Sequence, residues 1–374
     1  MLCFAELGSK ITITGGAYAY IEVAFGKYAG FLTTNIFIFG ASLMATAAIV
    51  NAIADTLAYL MPVFNEKAFR ICFFIILFSG LTLIHVMGIK QGIQLVKITT
   101  LAKLIPLLIL IILGIKDIIP ANLKIDTIPA ISEFGKISVI LFFAFQGAEN
   151  SLSVGGEVKN PGKTFPRAIL VGFLLILLLY VAIQLVAQGV LGASLSTFKQ
   201  APLAQVANRV MGPFGLTLMT ATAAISMFGY LSSDIMNMPR VLFRSALDKV
   251  IPVKPLARVH KKFSTPYVSV SVFTGLSCFF AIIGEFEQLA VLSSCSVLLI
   301  YLGVALATIK LKVKEKDSQH FTIPGGNTVP ALAILIILWF LSNLSIDEQI
   351  AMLVFITILT LIYLAIRLLK SDKM

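Results

Sequence analysis

Charge is what this chain has least of. Asp, Glu, Lys and Arg make up 13% of its 374 residues, against roughly 25% in soluble domains. Hydrophobic residues make up 58% and the mean hydropathy is +0.97. So few charges cannot coat a water-facing surface, and the chain reads as an all-α polytopic membrane protein. Cysteine is also scarce. Cys3, Cys72, Cys278 and Cys295 lie in apolar stretches without disulfide or metal spacing, and read as small buried hydrophobes. His85, His260 and His320 are far apart and form no ligand cluster. A Gly-rich phosphate loop, a nucleophile elbow and a zinc-binding helix motif are all missing. The sequence therefore implies no cofactor, no metal and no membrane enzyme.

What is present is a series of membrane-length apolar runs. Ten complete spans fall at about 28–52, 68–88, 93–115, 134–155, 166–191, 213–239, 266–284, 287–309, 328–345 and 347–368. Residues 1–9 read as the end of another helix. The loops are short, so residues 1–374 form one transmembrane domain. Between 11 and 27, Gly15, Gly16 and Gly26 break any long helix. A short interfacial helix there would hold Tyr18 and Tyr20 at headgroup level.

The net charge of +11 would suggest nucleic acid in a soluble protein. Its distribution gives another reason. With the loop after residue 9 placed in the cytoplasm, 21 basic residues fall inside and seven outside. The inside set includes Lys10, Lys163, Arg167, Arg240, Arg244, Lys310, Lys312 and Arg367. That bias orients the chain in a cell inner (plasma) membrane with its C-terminus cytoplasmic, beside anionic lipid and with no nucleic-acid partner.

One span is not uniformly apolar. Residues 137–155 carry Gln146, Gly147, Glu149 and Asn150 in their middle. A charge at the bilayer centre costs about 2.5–3.5 kcal/mol on insertion scales. Gly147 followed by polar groups is the pattern of a helix that unwinds and turns its backbone toward a solute in a protein-lined cavity. Gln146 and Gly147 would contribute freed N–H and C=O groups more than side chains. Phe143 and Phe145 flank the break, as packing residues or as walls of the site. Glu149 is either a helix cap in a wet vestibule or a gate in the solute path.

Three segments together resemble the amino acid–polyamine–organocation superfamily of permeases. The first is Phe4-Ala5-Glu6-Leu7-Gly8-Ser9, followed by Gly15-Gly16-Ala17-Tyr18 and Phe25-Gly26. The second runs from Phe142 to Pro166, through Phe145-Gln146-Gly147-Ala148-Glu149 and Gly156-Glu157-Val158-Lys159-Asn160-Pro161. The third is Pro239-Arg240-Val241-Leu242-Phe243, with Ala246-Leu247-Asp248, Ile251-Pro252 and Ser264-Thr265-Pro266. The resemblance implies a LeuT-like fold of two inverted five-helix repeats and two further helices. Residues 1–115 would be the remainder of the first repeat, 134–309 the second repeat and 328–368 the closing pair. The family's first helix and most of its second have no counterpart here. The expectation is either a start set at an internal Met or a truncated chain.

The resemblance also implies roles. Phe143 matches an aromatic lid over the substrate, and Glu149 an acidic gating residue. Lys103 lies about nine Å from Lys97 at 1.5 Å per residue. It either snorkels to the cytoplasmic interface or, as in proton-coupled relatives, stands in a cation site. Ser232 and Ser233 match the hydroxyl pair lining that site and would then lie near its amine. Asp234 pairs with Lys103 or, the preferred reading, faces a vestibule near Arg240 and Arg244. Asp55 and Glu6 would hold basic neighbours at helix ends. Ser42, Thr46 and Asn51 would line the path or bond between helices, while Ser293, Ser294 and Ser296 read as small packing residues. Val158–Arg167 reads as a rigid connector. The expected function is secondary active amino acid transport by alternating access, proton-coupled, with neutral substrates favoured. An exchanger, or a non-transporting relic or sensor on the same scaffold, is the alternative.

Overall fold

The computed structural model describes residues 1–11, 16–88, 93–124, 130–147, 161–198, 201–248, 250–312 and 321–371. Thirteen α-helices occur among them, and no strand. They are α1 (Leu2–Lys10), α2 (Ala17–Phe25), α3 (Lys27–Asn35), α4 (Leu43–Ala58), α5 (Lys67–Val86), α6 (Ile93–Gly114) and α7 (Ile131–Phe143). The remainder are α8 (Pro161–Leu191), α9 (Pro202–Leu247), α10 (Tyr267–Ile283), α11 (Phe286–Lys312), α12 (Thr328–Ser342) and α13 (Ile346–Ser371). A seven-residue π-helix, Ile36–Ser42, joins α3 to α4.

Among the described residues each apolar run contains helix, although in the 134–155 run it ends at Phe143. Six helical segments are long and apolar enough to cross a membrane, counting Lys27–Ala58 as one, and α10 and α12 are shorter apolar helices. The 213–239 run begins where α9 bends: Gly212 has φ +68 and Pro213 follows, so the helix is interrupted there and extends in both directions. The glycine-rich stretch behaves as expected, with Gly16 and Gly26 at positive φ on either side of α2. Tyr20 is fully buried among protein atoms, and Tyr18 is half-buried. Cys72 is exposed, unlike buried Cys3 and Cys295.

The chain divides into two compact units, Met1–Met44, Pro129–Ile176 and Ala290–Met374 forming one, and Ala45–Ile128 and Leu177–Leu289 the other. Each unit draws on both halves of the sequence.

In the first unit α3 packs on α2 and α13, and α7 packs on α12. Val139, Val291, Cys295 and Leu344 form its buried apolar cluster. Glu6, 1% exposed, accepts hydrogen bonds from Lys10 Nζ and Lys312 Nζ at 3.1 Å each and from the backbone N–H of Ile323 at 3.0 Å. A buried carboxylate thus ties the ends of α1 and α11 to the chain entering α12, and the expected basic neighbours are present. The most apolar stretch of α13 is only 6% buried, against 67% for α11 and 72% for Lys27–Ala58. Leu and Ile side chains on α13 suit lipid, whereas α11 and the α3–α4 rod are enclosed by protein.

In the second unit α9 packs against α6, α10 and α5. Leu110, Val186, Val206 and Met219 belong to its core. Polar stitches join its helices. Asn51 donates to the Ala281 carbonyl (3.0 Å), Thr82 and Thr274 share a bond (2.8 Å), and Arg70 reaches both Asp55 (2.7 Å) and Asn51 (3.0 Å). Asn51 therefore bonds between helices, and Asp55 holds a basic partner as its position at a helix end suggested.

Candidate substrate site

The break forecast at Gly147 lies in the first unit. α7 is regular to Phe143. The N–H groups of Ala144, Phe145 and Gln146 then turn back to carbonyls only three residues earlier, at 3.0, 3.0 and 3.3 Å. Gly147 leaves the helix with φ +108, a conformation that a side chain disfavours. Among the described residues nothing lies within 4 Å of where a Gly147 Cβ would sit. The Leu141, Phe142 and Phe143 carbonyls accept these tightened bonds, and the end of α7 carries the partial negative charge of a helix C-terminus. Ala148, Glu149 and Asn150 lie outside the described residues, as does Val158–Asn160 of the connector.

Gln146 uses its side chain, not only its backbone. Its Nε2 lies 2.9 Å from Ser294 Oγ, and its Oε1 lies 3.1 Å from Ser293 Oγ. The Ser293 hydroxyl also donates to the Ala41 carbonyl at 2.9 Å. Ser293 and Ser294 are completely buried, while Gln146 is half-buried. These serines are thus more than packing residues: they anchor the end of α7 to α11 and to the π-helix. A Cβ on Gly40 would run into the Ser296 side chain, so the π-helix and α11 are in close approach. Ser296 itself bonds back to the Leu292 carbonyl within α11 and does serve packing. π-Helical turns occur often at functional sites because they widen the helix and expose its carbonyls.

Aromatic rings surround the break. Phe142 meets Tyr301 edge-on at 5.5 Å and Phe340 at 6.5 Å, and Phe145 lies 5.8 Å from Phe173 of α8. Phe143 is half-buried.

The residues expected to couple protons lie in the second unit. Lys103 is exposed on α6 and makes no hydrogen bond or ion pair among the described residues. Ser232 is buried, with its Oγ 3.4 Å from His85 Nε2 on α5, and Ser233 is half-buried. Asp234 does not face a vestibule. It is 5% exposed and accepts from Thr46 Oγ1 at 2.6 Å, while Arg244 pairs with Asp248 instead. The vestibule reading relied on Arg240 and Arg244 lying one to three turns further along the same helix, whereas the rotation of α9 turns Asp234 toward α4. Sequence reasoning took Ser293 and Ser294 for packing residues and gave His85 no role. The Ser293-Ser294 pair within an apolar helix was the available signal, but small residues pack helices just as often.

The long apolar helices define a multi-pass membrane protein. Similarity to known proteins gives the family. The chain belongs to the amino acid permeases, whose family model matches residues 1–369. It is 28% identical over 343 residues to the serine/threonine exchanger SteT of Bacillus subtilis, covering 89% of this chain and 76% of that one. It is 25% identical over 390 residues to the branched-chain amino acid permease BcaP of the same organism, covering 97% and 81%. Similarity to an arginine/ornithine antiporter of Pseudomonas aeruginosa is 27% over 258 residues, covering 65% and 52%. These relatives are transporters by name rather than enzymes.

Proposed function

We propose that this protein is a secondary active transporter of neutral amino acids, working by alternating access in a cell inner membrane with its C-terminus cytoplasmic. The observation that carries this reading is the end of α7 at Gly147. The C-terminal end of α7, with the partial negative charge of a helix terminus, attracts the substrate ammonium beside Phe143 and Phe145, and Gln146 is held in place by buried serines. Glu149 serves as the gate. Membership of the amino acid permease family supports the substrate class. The LeuT-like inverted-repeat fold, with ten complete spans, belongs to this proposal.

Protons drive uptake in this reading. Lys103 stands on α6, which packs along α9, the helix that carries Ser232 and Ser233. In this reading the Lys103 ammonium takes the place of a coupling cation and comes to Ser232 and Ser233 during the transport cycle, since here it is exposed and Ser232 bonds His85. A second reading, obligatory exchange, is favoured by the names of two relatives, one an exchanger and one an antiporter.

Reconstitution of the chain into proteoliposomes separates these readings. Uptake of labelled serine, alanine or leucine into substrate-free vesicles, accelerated by an inward proton gradient, is expected. In Lys103→Gln that acceleration should vanish. Uptake that requires internal amino acid and ignores pH establishes exchange. Wild-type protein that is folded but neither binds nor moves any amino acid refutes transport and leaves a sensor scaffold.

A further inference from the structure

We infer that Gln146 reads the substrate side chain and selects amino acids bearing a neutral hydrogen-bonding group, a hydroxyl or a carboxamide, over apolar isosteres. This inference rests on the proposed function and deepens it.

The argument comes from donors and acceptors. A glutamine amide has two N–H donors and two oxygen lone pairs. Gln146 spends one of each on Ser294 and Ser293. With Oε1 toward Ser293, the single Ser293 proton faces two acceptors, Oε1 and the Ala41 carbonyl. The Ser294 hydroxyl then accepts from Nε2 while its own proton has no acceptor among the described residues. Turning the amide by 180° gives each hydroxyl proton an acceptor: Ser293 accepts from Nε2–H and donates to Ala41, and Ser294 donates to Oε1. In both orientations at least one N–H and one lone pair of the amide are left over. Both serines are completely buried and Gln146 is half-buried. Gln146 is only half-buried, so the serines do not enclose the unspent donor and acceptor.

A fixed amide with one donor and one acceptor to offer is a neutral, two-way reader. A hydroxyl or carboxamide satisfies both at once. An apolar side chain leaves both unpaired when it displaces water, and a charged side chain meets no countercharge in this cluster. The serines matter because they remove the rotational freedom of a long side chain that would otherwise have to be lost on binding.

Two near-isosteric pairs test the inference, threonine against valine and asparagine against leucine. Each is measured as competition against labelled alanine uptake, and as thermal stabilisation of the purified protein. Wild-type protein is expected to prefer the polar member of at least one pair by about tenfold, the scale of one to two hydrogen bonds. Gln146→Met should reduce that ratio to about two or less. The double variant Ser293→Ala/Ser294→Ala, which frees the amide without removing it, should give an intermediate ratio. Wild-type protein that binds amino acids without favouring threonine or asparagine overturns the inference, however the variants fold. A polar preference that survives unchanged in Gln146→Met also overturns it. Protein that binds no amino acid at all refutes the proposed function itself, a result distinct from either.

Discussion

Glu6 offers a test of how the first unit is held together. Glu6→Gln keeps the side chain's shape but replaces one oxygen by an NH2 group. The two ammonium groups and one backbone N–H that now converge on the carboxylate would then face a neutral group with a single acceptor oxygen. Removing one partner of a buried ion pair costs about 3–5 kcal/mol. Lys10 is 8% exposed and Lys312 is 20% exposed, so the latter regains some hydration. The lower end, about 3 kcal/mol, is the expected loss. The Arg244–Asp248 pair supplies a contrast, because its side chains are 72% and 48% exposed. Asp248→Asn should therefore cost about 0.5 kcal/mol or less. The assay is thermal unfolding of the purified protein in detergent, followed by retention on size exclusion after heating. Glu6→Gln should melt about 4 °C below the parent, and Asp248→Asn within about 1 °C of it. The triple variant Glu6→Leu/Lys10→Met/Lys312→Met should recover much of the loss, since it removes every member of the network together. If Glu6→Gln melts with Asp248→Asn, the carboxylate is hydrated and the argument from burial fails.

Other residues give sharper functional readouts. Gly147→Ala puts a Cβ on a backbone at φ +108, a strain of about 1–3 kcal/mol. Transport should fall at least tenfold, with melting lowered by no more than about 4 °C, because the alanine favours continuing the helix; unimpaired transport would show that the break is dispensable. Thr46→Val removes a donor from buried Asp234, at an expected cost of about 1.5–3 kcal/mol, and Asp234→Asn in that background should restore part of it. Lys103→Gln should abolish proton-driven uptake, and persistence of the pH response would remove Lys103 from the coupling step.

The sequence by itself determined the membrane class, the positions of the apolar runs and the place where α7 ends. These depend on properties local to the chain. Partition into lipid is set by the composition of about 20 consecutive residues, and the left-handed turn at Gly147 by the one residue type that adopts it freely. The ion pairs at Asp55 and Glu6 were also foreseeable, since carboxylates at helix ends in a chain rich in Lys and Arg meet basic neighbours. The tertiary structure alone decided which polar side chains meet. Gln146 finds Ser293 and Ser294 from 147 and 148 residues away, and Asp234 finds Thr46 from 188. Those pairings depend on how each helix is rotated about its axis and on which helix lies beside it. Serine and threonine give no advance notice of either, because their small side chains pack against a neighbouring helix as readily as they hydrogen-bond to it.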